Sequence, residues 1–85
     1  MKVRPLNPQT LRNQTMNQSI AIIVNGHSET IRKETTIADL IRYFQEYDTD
    51  LIVERNGRFV YPDQYDRLVL DPGDRVEFIN PNFGG

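Results

Sequence analysis

The residues of this chain that could do chemistry are few, and the most telling stand last: Asn80-Pro81-Asn82-Phe83-Gly84-Gly85. Glycine has no Cβ, so a diglycine end can carry its carboxylate through a channel too narrow for other residues. An α-carboxyl ordinarily ionises well below neutral pH, so Gly85 would offer an oxygen nucleophile. Extended, Pro81 to Gly85 span at most about 16–18 Å, enough to reach into a partner while a folded body stays outside. Pro81 would stiffen the root of this tail. Phe83 is either an aromatic anchor for a partner pocket or a side chain that folds back on its own sheet. The competing reading of the whole segment is an inert glycine end.

Other reactive groups are sparse. His27 is the single histidine and stands beside a turn, where an exposed imidazole is expected rather than a metal ligand or general base. Asp48 and Asp50 open like a calcium loop, but Leu51-Ile52-Val53 continues as a strand and the later ligand positions are missing. Tyr43 and Tyr47 form an i, i+4 helix pair rather than a stacking platform. With no cysteine, the chain has no disulfide, thiolate metal site or sulfur nucleophile of its own. No paired base and nucleophile can be named, so the expectation is a chain that is not an enzyme, with no catalytic residue and no metal. If it handles sulfur or an acyl group, the terminal carboxylate must do so.

The body that positions this tail is small. Eighty-five residues, 38% hydrophobic and 26% charged, allow one domain with one helix packed on one sheet. Lys2, Arg4 and Arg12 are the only charges in residues 1–19, which leaves seven basic against twelve acidic residues, net −5, on the remainder. An acidic body disfavours nucleic acid as the main partner. No apolar run approaches the roughly 20 residues of a membrane span and no signal-peptide core follows Met1, so a cytoplasmic protein without membrane attachment is expected.

Local patterns give an order of elements. Residues 1–19, with Pro5 and Pro8 among Asn, Gln and Thr, read as a flexible leader; residues 20–80 as the folded domain; residues 81–85 as a mobile tail. Ile20–Val24 is a β-branched strand closed by Asn25-Gly26, a pair suited to the positive φ angles of a hairpin, and a second strand follows over about 28–32. Thr36 with Asp39 resembles a capping box, and Ile37, Leu40, Ile41 and Phe44 keep helical spacing, which predicts a helix over about 37–47. Leu51–Glu54 and Arg58–Tyr61 form a second hairpin through Asn56-Gly57, stopped by Pro62. Leu68–Leu70 is a short apolar segment, Asp71-Pro72-Gly73-Asp74 a tight turn, and Arg75–Asn80 an alternating last strand. The order is ββαβββ, an α+β chain whose mixed sheet wraps one helix as in the β-grasp fold.

Period-two logic assigns Val76 and Phe78 to the core, together with Ile22, Val24, Ile37, Leu40, Ile41, Phe44, Val53, Val60 and Leu70. Ile79 falls on the other face with Arg75 and Glu77, as do Ile23 and Ile52 if their strands keep the same parity. These three are either scattered surface apolars or a partner-docking patch.

From about residue 20 to residue 85 the chain resembles the ThiS-type sulfur carriers of thiamine biosynthesis, ubiquitin-like β-grasp proteins that end in Gly-Gly. The resemblance rests on Val24-Asn25-Gly26, Thr36-Ile37-Ala38-Asp39-Leu40-Ile41, Val53-Glu54, Asn56-Gly57, Val60, Tyr65, Val69-Leu70, Gly73-Asp74-Arg75-Val76-Glu77 and Gly84-Gly85. Phe83 departs from the third glycine common there, and Pro81 is more similar to MoaD, the small subunit of molybdopterin synthase, another sulfur carrier of the same fold. The resemblance implies that an activating adenylyltransferase uses ATP and Mg to adenylate the Gly85 carboxylate, and that a sulfur donor converts the adenylate to a thiocarboxylate. It further implies delivery to a thiazole synthase, with Pro81, Asn82, Phe83 and Gly84 threading the partner's channel and no cofactor held by this chain. A molybdopterin-type carrier, or a β-grasp interaction module with an inert tail, are the alternatives.

Overall fold

The computed structural model describes residues 18–81. Five strands and one α-helix follow in the order β1 (Ser19–Val24), β2 (His27–Arg32), α1 (Ile37–Tyr43), β3 (Ile52–Arg55), β4 (Arg58–Val60) and β5 (Arg75–Ile79), with a 3₁₀ turn at Pro62–Gln64. The sheet order is β2-β1-β5-β3-β4. β1 and β5 run parallel at its centre, while β1–β2, β3–β4 and β3–β5 are antiparallel. This is the expected mixed sheet with one helix. The last strand in sequence lies in the middle.

Both hairpins turn on Asn-Gly as their sequences predict. Asn25 and Gly26 have φ of 49° and 83°, and Asn56 and Gly57 of 52° and 81°, the left-handed pairs that a two-residue hairpin requires. Each turn asparagine also ties down β5. Asn25 Oδ1 accepts the Phe78 N–H at 2.8 Å and Asn56 Oδ1 accepts the Arg75 N–H at 2.9 Å. Edge hairpins are thereby fixed to the central strand by side chains as well as by the ladder.

The helix starts where expected and ends earlier. Thr36 Oγ1 accepts the Asp39 N–H at 3.1 Å and Asp39 Oδ2 accepts the Thr36 N–H at 3.0 Å, a reciprocal cap. Helix residues were expected to about 47, but the chain leaves the helix at Phe44, and Gln45 adopts φ of 57°. The Glu46 N–H bonds the Ile41 carbonyl at 3.0 Å and the Gln45 N–H bonds that of Arg42 at 3.2 Å, closing the last turn in a Schellman arrangement without glycine. Tyr47 therefore lies outside the helix and is not the i, i+4 partner of Tyr43, whose ring instead meets Phe44 edge-on at 4.9 Å.

Leu68–Leu70 forms a strap across the helix start. Thr36 and Val69 make one isolated bridge, and the Ile37 and Ala38 N–H groups bond the Leu68 and Tyr65 carbonyls at 3.1 and 2.8 Å. Helix donors that have no partner inside the helix are satisfied this way. The core between helix and sheet holds Ile22, Val24, Ile37, Leu40, Val53, Val60, Leu70, Val76 and Phe78 as expected, with Ile41 and Phe44 packed at its margin. It also holds Ile31, fully buried and paired with Ile20, which the polar composition of β2 concealed. Among the described residues no helix is long and apolar enough to cross a membrane.

Candidate functional site

Strand β5 delivers the chain to the candidate site, so its two ends set the geometry. At the Arg75 end, Asp74 is 6% exposed yet carries a carboxylate. Its oxygens accept the Asp71 N–H at 2.8 Å, the Asn56 Nδ2 at 3.0 Å and the Arg55 Nε at 2.9 Å. Burial pushes the Asp74 carboxyl up, but these hydrogen bonds and the Arg55 charge outweigh it, and it titrates below its ordinary range. Arg55 also reaches Asp71 at 3.0 Å. This network locks the second hairpin, the turn before β5 and β5 itself into one register.

At the other end β5 runs out through Ile79, Asn80 and Pro81. Asn80 Nδ2 donates to Glu46 Oε1 at 3.2 Å, a bond from the root of the tail to the residue just beyond the helix. Asn82, Phe83, Gly84 and Gly85 lie outside the described residues.

Ile23, Ile52 and Ile79 share the outer face, opposite the helix, but are not one cluster. Ile52 and Ile79 are direct cross-strand partners. Ile23 stands beside Arg75, four residues back along β5 and so about 13 Å from Ile79. Sequence reasoning missed Phe59 and Tyr61, 48% and 61% exposed, whose rings meet edge-on at 4.7 Å. Phe59 pairs with Glu54, and the register places Tyr61 one step beyond the Val53–Val60 pair, beside Ile52. Alternation along Arg58–Tyr61 was the available signal. Between the two isoleucine positions the face turns polar, where Glu54 opposes Glu77 and, with Asn56, Gly57 and Arg75, lines an open hollow of about 300 Å³.

The remaining candidates are placed plainly. His27 opens β2 in an exposed position. Asp48 Oδ1 accepts the Asp50 N–H at 2.9 Å, so the pair builds a turn into β3. Among the described residues no three His, Asp or Glu side chains converge on a point that could hold a metal ion.

The sequence pattern of the ThiS family matches residues 22–85, which takes in every strand from within β1 onward and the diglycine. The chain belongs to the ThiS family. A solved structure of the thiamine biosynthesis protein ThiS from Geobacter metallireducens is similar at 25% identity and a TM-score of 0.67, over 78% of this chain and 100% of that one. No curated protein sequence matches this chain. The family is that of the small sulfur carriers of thiamine biosynthesis, and the five-stranded mixed sheet with one helix is its β-grasp fold.

Proposed function

We propose that this chain carries sulfur for thiazole synthesis on the carboxyl carbon of Gly85, and that the folded body is the grip by which partners hold it. The observation that carries this reading is that the family match runs through residue 85 and so includes Gly84-Gly85.

In the proposed cycle an activating adenylyltransferase binds the chain together with ATP and Mg. A Gly85 carboxylate oxygen attacks the α-phosphorus, pyrophosphate leaves, and an acyl adenylate forms. Hydrosulfide-level sulfur from a donor protein attacks the acyl carbon, AMP leaves with the former carboxylate oxygen, and a proton is released. The product is a thiocarboxylate, which a thiazole synthase consumes. This chain contributes the reacting carboxylate and the surface that positions it, while the partner supplies the charges that stabilise the phosphates. It is a carrier rather than an enzyme.

Gly84, Phe83, Asn82 and Pro81 thread the partner's channel. The Ile52–Ile79 pair at the root of the tail, extended by Tyr61 and Phe59, is the docking surface nearest the reacting end. Incubation with the cognate activating enzyme, Mg-ATP and a sulfur donor, followed by intact-mass measurement, tests the reading. Exchange of one oxygen for sulfur is expected, and removal of Gly85 should abolish it.

A further inference from the structure

A second apolar surface lies beside the root of the tail, on the helix side of the molecule. Ile41, Tyr47, Leu51, Pro62 and Tyr65 form the walls of an open hollow of about 280 Å³, lined mainly by carbon. Glu46 is part of the same rim, and it is the residue that holds Asn80. Leu51 directly precedes Ile52, the cross-strand partner of Ile79. Walls lined mainly by carbon suit a ligand that brings an apolar group. Burial pushes the Tyr65 hydroxyl up.

We propose that this hollow is the resting berth of the chain's own tail, with the Phe83 ring against Leu51 and Tyr65. The reach is short: the two residues from Pro81 to Phe83 span about 7 Å, and Asn80 already touches the rim. Burying one ring and ordering two residues are opposing effects of similar size, so the berth is occupied part of the time and yields to a partner that binds the tail. The inference deepens the carrier reading by giving the tail a stored position. It stands or falls on a measurement that needs no sulfur transfer.

The experiment is solution NMR of the full chain, compared with Phe83→Ala and with a chain shortened after Pro81. Expected are through-space contacts from the Phe83 ring to the Leu51 methyls, and amide shift changes in both variants centred on Thr49, Leu51 and Tyr65. These should be independent of protein concentration, with the remaining resonances unmoved. Changes confined to Asn80, Pro81 and their immediate neighbours, or shifts at the hollow that grow with concentration and so report a second copy, would overturn it. Failure here leaves the mass test of Gly85 untouched. Failure of that mass test leaves the ring contacts to be seen or not.

Discussion

The two ends of β5 are held very differently. At Arg75 the strand begins inside a network in which one buried carboxylate takes three donors and an asparagine both gives and accepts. At Asn80 a single side-chain bond joins the strand to Glu46, and the outer face there is apolar. The difference teaches how one strand can serve both fold and function. The end remote from the tail fixes register, which leaves the other end to present an apolar surface.

Substitutions should therefore separate stability from partner use according to the end they touch. Asp74→Ala should have the largest effect on stability, about 2–4 kcal/mol, because it strands the Asn56 amide and the Asp71 N–H and weakens the hold on Arg55. Chemical denaturation measures it. Because the Asp74 carboxyl is lowered in the folded chain, its contribution should be intact above about pH 4 and lost as pH falls through the lowered value, and the Ala variant should lack that component of acid sensitivity.

Asn56→Asp retains a residue tolerant of the turn's positive φ and an acceptor for Arg75. It removes the donor to Asp74 and sets two carboxylates 3.0 Å apart. A loss of about 1–2 kcal/mol is expected in the same assay, and a neutral result would show that the turn alone matters. At the other end Ile79→Lys should weaken binding to the activating enzyme about tenfold, equivalent to about 1.4 kcal/mol, with a stability change of no more than about 1 kcal/mol. Titration calorimetry against melting temperature separates the two. Asn80→Ala should be the mildest, at most about 0.5 kcal/mol by denaturation, since it removes one long, part-buried side-chain bond to Glu46. A loss comparable to that at Asp74 would erase the contrast between the ends.

What the chain discloses without coordinates is what is decided locally. The two Asn-Gly turns, the Thr36–Asp39 cap and the inward alternation of Val76 and Phe78 each depend on a few neighbouring residues, and all are present. What stays hidden depends on residues brought from afar. The helix ends where Gln45 takes up φ of 57°, and no glycine marks the place. Ile31 is buried only because β2 pairs with Ile20 in that register. Asp74 reads as an ordinary turn aspartate until Arg55 and Asn56, nearly twenty residues earlier, close upon it. At the candidate site, residue types pointed to the tail and to three isoleucines, but only the pairing of strands joins Ile52 to Ile79, separates Ile23 and adds the Phe59–Tyr61 pair.

The most direct measurement is the intact mass of the full chain after incubation with its activating enzyme, Mg-ATP and a sulfur donor, with fragmentation to locate any change. Replacement of one oxygen by sulfur at Gly85, absent from a chain lacking that residue and retained in a folded Asn80→Ala variant, is the expected result. An unmodified Gly85 after exposure to an enzyme proven active on another carrier of this family would contradict the assignment.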